Sequence, residues 1–364
     1  MAIKQHLTIL LAVGLLYGAV QTVHADSYPR VNVNLAIRYI IPAYQVFAAE
    51  TARQLAAFEQ FCATPNETTL KAARAAFHTA LDAWMSIQHI DFGPIEQAFQ
   101  IQRINHWPER RNAVDKSLNV LIKNQDYAAL ASDKFTQLSV AVQGFPALER
   151  LLFKDTALSQ FLPESPSSHY RCVLLIAIGR NLANLAQNLS QEWQKNVLPT
   201  LGAGGSIYFP KPIDATRRMM TSLRNLLQTI ADLKLERVLD QSLEQAKPRL
   251  AENRRSGRSI RNILINLRSA RAMYGETDGD IGFNTYVLQA DNGPAQNAKL
   301  QQAFTDAISA VQAIQKSLDV AVIDPVGRTQ AENALVKVEV LRDHFREIVP
   351  KAANISLGFT SFGD

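Results

Sequence analysis

The stretch HYRCVLLIAIGRNLANLAQNLSQEWQKNV, residues 169–197, decides the fold class. Taken alone, residues 172–178 form an apolar run that a buried strand would also show. The apolar positions then continue at Leu182, Leu185 and Leu189, and steps of three or four residues are the period of a helix. The spacing therefore predicts one long helix over residues 169–197 rather than a strand.

The same helical period recurs along the rest of the chain, and no segment sustains the two-residue alternation of a half-buried strand. The predicted helices cover residues 31–61, 67–90, 169–197, 214–240, 296–319 and 328–349. We therefore predict an all-α fold built from helical bundles.

A Gly- and Pro-rich segment at residues 201–212 separates two halves of the sequence. It follows one predicted helix and precedes another, as a domain boundary does. The predicted domains are an N-terminal helical bundle at residues 26–200 and a C-terminal helical bundle at residues 213–364. Each is long enough for a four-helix bundle, and their similar size would fit a duplication. The two bundles are expected to meet across a cleft.

The first 25 residues have the pattern of a secretory signal peptide. Lys4 supplies the positive start, residues 7–20 are almost wholly apolar, and a small-x-small pattern ends at Ala25. The alternative is a retained membrane anchor, but the apolar run is shorter than the ~20 residues that a spanning helix needs. The pattern predicts an exported protein of the periplasm or cell envelope, with no transmembrane anchor after cleavage.

Charge and cysteine content exclude several classes of protein. The net charge is only +5 and no block of Lys or Arg occurs, which argues against a nucleic-acid partner. Cys62 and Cys172 are the only cysteines, so a Cys-x-x-Cys zinc or thioredoxin motif is excluded. In an exported protein these two residues would form the single intramolecular disulfide, and the alternative is two buried free thiols.

Three segments carry polar side chains that a cleft could use. The first, residues 91–108, contains Asp91, Arg103 and Trp107 together with the helix-breaking Pro94 and Pro108. These residues could line the cleft, and the alternative is that they pack and cap a corner between two helices.

The second segment is GFPALERLLF, residues 144–153. Pro146 suits the first turn of a helix and Gly144 suits its entry. Phenylalanines lie one turn before and one turn after Glu149, so its carboxylate points near the core. A buried carboxylate needs an Arg, backbone donors or a metal beside it. The alternative to a functional role is a structural salt bridge.

The third segment, residues 248–260, is rich in Arg and Ser. If it is helical, the polar residues on one face are Glu252, Arg255, Ser256 and Ser259. Such a face is normally solvated, but against the other domain it would offer cations and hydroxyls to a polar ligand. We predict that Glu149 lies near this segment at the domain interface, paired with Arg255 or Arg258, and that residues 91–107 lie near the same cleft.

Together these segments resemble the imelysin-like family of bacterial envelope proteins, also described as insulin-cleaving metallopeptidases. The pieces that carry the resemblance occur in family order at residues 91–95, 107–108, 144–153, 234–235, 255–259 and 357–359. The resemblance implies two helical bundles, a site where they meet, and an association with iron regulation or iron uptake.

The chain departs from the family's Gly-x-His-x-x-Glu motif at one position. Gly144 and Glu149 occupy the first and last positions, but Pro146 replaces the His and has no donor atom. Glu149 is therefore the only retained motif ligand. A zinc peptidase needs about three protein ligands and a general base, and the chain has no His-Glu-x-x-His motif either.

Two functions fit this pattern. The missing His favours a non-enzymatic periplasmic binding protein for iron or haem acquisition, whose partners are a small ligand or envelope iron-uptake components. The alternative is an imelysin-type metallopeptidase that holds iron or another divalent metal with a non-standard ligand set. The candidate ligand-binding residues are Asp91, Arg103, Trp107, Gly144, Glu149, Glu252, Arg255, Ser256, Arg258 and Ser259.

Overall fold

The computed structural model describes residues 27–276 and 281–358, so the predicted signal peptide lies outside the described residues. Within these two ranges the secondary structure is helical and contains no strand, which confirms the all-α prediction. Over the same ranges, none of the helices has the length and apolar character that crossing a bilayer requires.

A helical segment at residues 27–35 precedes the long α-helices. These are α1 (Ile41–Ala63), α2 (Glu67–Ile87), α3 (Ala113–Asn124), α4 (Gly144–Leu152), α5 (Ser168–Glu192), α6 (Pro212–Gln228), α7 (Ser259–Tyr274), α8 (Gly293–Gln312) and α9 (Pro325–Ala352). Shorter α-helices are Gln100–Ile104, Ser132–Phe135, Ala157–Phe161, Leu198–Leu201, Arg237–Leu239, Asn284–Gln289 and Leu318–Ala321. Turns of 3₁₀-helix are Gly93–Phe99, Ala128–Leu130, Val140–Val142, Pro248–Leu250 and Arg254–Ser256, and π-helical turns are Ala36–Ile40, Trp193–Val197 and Thr229–Glu236.

The stretch that predicted the fold forms α5. The helix begins at Ser168 and continues through the π-helical turn to Val197, close to the predicted range. Its apolar stripe is buried because it packs against α1. A disulfide between Cys62 and Cys172, with Cα atoms 5.5 Å apart, joins the end of α1 to the start of α5.

The long helices other than α3, which packs against α4, form two groups of four. In the first group, α1 packs against α2 and α5, and the short α4 packs against α2 and α5 on the other side. In the second group, α6 packs against α7 and α9, and α8 also contacts both α7 and α9. Each group is therefore a ring of four helices around apolar side chains, the arrangement of a small helical bundle.

The two groups meet where α2 packs against α7, and one continuous apolar core runs through both. The chain also connects them elsewhere. Tyr28 Oη donates a hydrogen bond to the Ala353 carbonyl at 2.7 Å, and Asn32 Nδ2 donates to the Pro212 carbonyl at 2.8 Å. Residues 27–35 therefore contact the second group although they precede the first. The domain boundary at residues 201–212 stays a prediction.

Candidate functional site

A polar pocket lies at the junction of the two groups. One wall consists of residues 105–109 and the α4 residues Pro146, Glu149 and Arg150. The opposite wall consists of Arg237 and the irregular segment at residues 249–255. Because both groups of helices contribute, the pocket exists only when the two are packed together.

Gly144 brings these walls into position. Its φ of +65° is in the left-handed region, and a Cβ atom there would lie 2.0 Å from the Ile104 carbonyl oxygen. Glycine alone tolerates both conditions. The start of α4 can therefore approach the backbone that leads into residues 105–109. Gly144 is buried, so its contribution is the shape of the pocket.

Glu149 is part of the pocket wall and is only 3% exposed. Its Oε1 accepts hydrogen bonds from Ser256 N at 3.0 Å and from Ser256 Oγ at 2.6 Å, and its Oε2 lies 3.8 Å from Arg150 Nη1. Burial raises the pKa of Glu149, while the Ser256 hydrogen bonds and the nearby Arg255 oppose that rise. The predicted neighbourhood of Glu149 is observed, but its closest partner is Ser256 rather than Arg255 or Arg258.

The two predicted arginine partners pair with other carboxylates. Arg255 Nη2 lies 3.1 Å from Asp115 Oδ2 at the rim of the pocket, and Arg258 pairs with Asp82 on α2. The two arginines therefore join the segment before α7 to α3 and α2, and neither forms an ion pair with Glu149.

The segment around Ser256 is not the continuous helix that its spacing suggested. Asn253 and Gly257 adopt left-handed conformations with φ values of 49° and 68°, so the chain turns twice before α7 begins at Ser259. Asn and Gly are the residue types that accept this conformation at least cost. The turns separate the four residues expected on one face, and Glu252 points away from Ser256.

Glu252 belongs to a second, closed polar cluster. Its Oε2 lies 2.8 Å from Lys234 Nζ, and both side chains are 2% exposed. Lys234 Nζ also donates to Asn266 Oδ1 at 2.7 Å, while Glu252 accepts from Asn262 Nδ2 at 3.1 Å and from Asn105 Nδ2 at 3.3 Å. Burial lowers the pKa of Lys234, and the contact with Glu252 opposes that change.

The remaining predicted residues are divided between the pocket and other contacts. Trp107 lines the pocket, and its ring centroid lies 5.7 Å from Lys234 Nζ. Ser259 Oγ donates to the Glu252 carbonyl at 2.5 Å and supports the turn. Arg103 donates to Asn181 Oδ1 at 2.9 Å, inside the first group.

Asp91 is also outside the pocket. Its backbone carbonyl accepts a hydrogen bond from Arg218 Nη2 at 3.3 Å on α6. Burial raises the pKa of its carboxyl group, and Arg218 opposes this rise. The expectation that residues 91–107 lie near one cleft therefore holds for the end of this segment and not for its start.

Sequence reasoning missed most of the cations around the pocket. Arg150 is 6% exposed and pairs with Glu109, and burial together with Arg255 and Arg254 lowers its pKa to about 9. Its position directly after Glu149 was a usable signal. Arg249 and Arg254 lay inside the third candidate segment but were not singled out.

The fold and the α4 motif can be compared with known proteins. The sequence model of the imelysin family, which is designated a peptidase family, matches residues 40–344. The chain belongs to the imelysin family. No curated protein sequence matches it significantly.

Two solved structures share the fold of this imelysin. An imelysin-like protein from Psychrobacter arcticum 273-4 superimposes with a TM-score of 0.75 at 19% identity, over 92% of this chain and 98% of that one. A "putative iron-regulated protein A precursor" from Parabacteroides distasonis ATCC 8503 superimposes with a TM-score of 0.66 at 14% identity, over 88% of this chain and 95% of that one. At these identities the likeness shows the fold alone.

The residues around the motif do not fit a transition-metal ion. Pro146 offers no donor where the resemblance places a His, and Glu149 Oε1 already accepts two hydrogen bonds from Ser256. The nearest charged neighbours of Glu149 are arginines, which repel a cation. Across the described parts of the chain, no three His, Cys, Asp or Glu side chains are grouped as metal ligands.

Proposed function

We propose that this imelysin is an exported, non-enzymatic binding protein of the cell envelope that serves iron or haem acquisition. Its ligand occupies the pocket between the two groups of helices. The observation that carries the proposal is the composition of that pocket, which is lined by five arginines, two glutamates and one histidine. Among the described residues these side chains do not form the group of metal ligands that a metallopeptidase needs.

Export and an iron-related role have separate support. The first 25 residues have the pattern of a signal peptide. The similar protein from Parabacteroides distasonis carries the description of an iron-regulated precursor. We extend both properties to this imelysin as part of the proposal.

The chemistry of the pocket favours binding over catalysis. A general base needs a free lone pair within hydrogen-bond reach of its substrate. Ser256 occupies one oxygen of Glu149, and the other faces Arg150. The guanidinium groups, in contrast, have donors in the planar arrangement that recognises anionic oxygens.

Growth under iron limitation tests the biological role. A strain that lacks the gene should grow more slowly in the presence of an iron chelator, and the wild-type gene should restore growth. Arg254→Glu should not restore it, because the change reverses a charge that lines the pocket. Arg268→Glu, the same change at an exposed position of α7, should restore it. Unimpaired growth of the deletion strain would contradict the role.

A protease assay tests the alternative function. The purified mature protein should not cleave insulin or casein in a metal-dependent way, because the motif lacks its His at Pro146. Mass spectrometry after dialysis should find much less than one transition-metal ion per chain. A single tightly held metal, or cleavage that EDTA abolishes, would instead support the metallopeptidase.

A further inference from the structure

We infer that the pocket recognises a small hydroxycarboxylate, an anion with at least two carboxylate groups and one hydroxyl group. The inference rests on the proposed function and adds the chemical class of its ligand. Two independent features of the pocket carry it, namely an excess of unpaired guanidinium groups and one buried oxygen that lacks a hydrogen-bond donor.

The guanidinium groups fall into two sets. Arg150 and Arg255 are neutralised inside the protein, since Arg150 pairs with Glu109 and both lie near Asp115. The second set also lines the pocket and consists of Arg237, Arg249 and Arg254. Within residues 27–276 and 281–358, the side chains of this second set form no hydrogen bond and no ion pair within 4 Å. Glu149 and Asp319 attract Arg254 only at longer range, and the Nε atom of Arg254 is buried without an acceptor.

Three unpaired cations in one concavity create a field that attracts anions. Clefts lined by charges of one sign raise the local concentration of the opposite charge, and low-dielectric walls strengthen the effect. Guanidinium groups bind carboxylates in paired, parallel hydrogen bonds. A ligand with two or more carboxylates can therefore engage more than one member of the set at once.

The second feature is Asn105, whose side chain is 7% exposed in the pocket wall. Its Nδ2 donates to Glu252 Oε1 at 3.3 Å. The ion-paired carboxylate of Glu252 only accepts hydrogen bonds, so the amide nitrogen must face it and the amide oxygen must face away. This Oδ1 atom is buried and, in the described part of the chain, no group donates to it.

A buried acceptor without a donor is costly, so a ligand hydroxyl that reaches Asn105 Oδ1 after a small shift of the pocket wall gains a hydrogen bond. Simple carboxylates supply the negative charge but no such donor. A hydroxycarboxylate supplies both, and it places an uncharged O–H beside Asn105 while its carboxylates meet the arginines.

Calorimetric titration of the full mature protein tests the ligand class with three probes. Citrate carries three carboxylates and a hydroxyl, tricarballylate has the same carboxylates without the hydroxyl, and inorganic phosphate is a small oxyanion. We expect citrate to bind at one site per chain and tricarballylate to bind about threefold to tenfold more weakly, the effect of one hydrogen bond. Citrate binding should weaken as salt is added, because ions screen exposed charges.

Two pocket variants and a matched control locate the site. Arg254→Gln and Arg237→Gln should each weaken citrate binding by about tenfold, the size expected for losing a hydrogen bond to a charged group. Arg268→Gln removes the same charge from an exposed position of α7 and should leave binding within about twofold. Circular dichroism of each variant shows whether the fold is retained.

The outcomes separate the inference from the proposed function. The inference is wrong if citrate does not bind, if phosphate binds more tightly than citrate, or if the pocket variants bind citrate as the wild type does. If citrate fails while Arg254→Glu still abolishes rescue under iron limitation, the binding function survives with a different ligand. If citrate binds at the pocket but the deletion strain grows normally, the ligand class stands and the iron role fails.

Discussion

Glu252 and Glu149 are both buried at the junction of the two groups of helices, with 2% and 3% of each residue exposed. The two carboxyl groups have different charge and hydrogen-bond partners. Glu252 lies 2.8 Å from the equally buried cation of Lys234, and asparagine side chains complete its hydrogen bonds. Glu149 relies on the backbone and hydroxyl of Ser256, and the nearest cationic nitrogen is 3.8 Å away.

This difference in partners distinguishes the structural cluster around Glu252 from the proposed binding surface beside Glu149. Around Glu252 each charge has a partner inside the protein, so the cluster holds helices together and has little to offer a ligand. Around Glu149 the charges are not balanced, because the pocket wall beside it carries more cations than carboxylates. An anionic ligand can bind to the cations that exceed the carboxylates.

The largest expected effect is on the closed cluster. Lys234→Met should lower the free energy of unfolding by about 3–5 kcal/mol, since it leaves Glu252 buried without a cation. Lys234→Met combined with Glu252→Leu should recover much of that loss, because neither charge remains. Urea denaturation at neutral pH measures both.

Lys247→Met provides the matched control, since it removes a lysine whose partner Asp240 lies at the surface. Exposed pairs contribute at most about 1 kcal/mol. Equal losses for Lys234→Met and Lys247→Met would mean that the buried cluster does not hold the two groups together.

A smaller effect is expected at Glu149. Glu149→Ala should cost about 1–3 kcal/mol, because the Ser256 donors lose their acceptor. Glu149→Gln keeps an oxygen for Ser256 and should cost less. Denaturation curves of the two variants under the same conditions give the ranking, and a larger loss for Gln than for Ala would contradict it.

The dependence of stability on pH also distinguishes Glu149 from a carboxylate with a close cationic partner such as Glu252. Burial raises the pKa of Glu149, so the folded protein favours the protonated carboxyl. The contribution of this group to stability is therefore greatest below its ordinary pKa and is lost as the pH rises through the raised value. Relative to Glu149→Gln, the wild type should lose stability as the pH rises above the ordinary range of a glutamate carboxyl. A difference that grows in favour of the wild type would show that the charged form is preferred.

The smallest effect on stability is expected for Arg254→Gln, because among the described residues this side chain forms no hydrogen bond or close ion pair and is attracted only at longer range by Glu149 and Asp319. Its free energy of unfolding should stay within about 0.5 kcal/mol of the wild type. Thermal denaturation checks this, and a loss above about 1 kcal/mol would mean that Arg254 supports the fold rather than the ligand.

The sequence predicts the helices well and the pocket only in part. The period of residues 169–197 predicts α5 because a buried stripe along one helix is a local property. The burial of Glu149 follows equally from the phenylalanines one turn away. The pocket depends on Arg237, which joins Arg254 only through packing between distant segments, and no local pattern records that. The left-handed turn at Asn253 likewise depends on tertiary contacts, because Glu252 and Ser256 pair with side chains from different parts of the chain.

The contacts of residues 27–35 set an order of events for a chain that is exported as we propose. Tyr28 follows the predicted cleavage site by three residues, yet its hydrogen-bond partner Ala353 is 325 positions further along the chain. Residues 27–35 would thus be among the first to cross the membrane, but Tyr28 could form this hydrogen bond only after almost the whole chain had crossed. Folding of such an exported chain would therefore be completed only late in secretion.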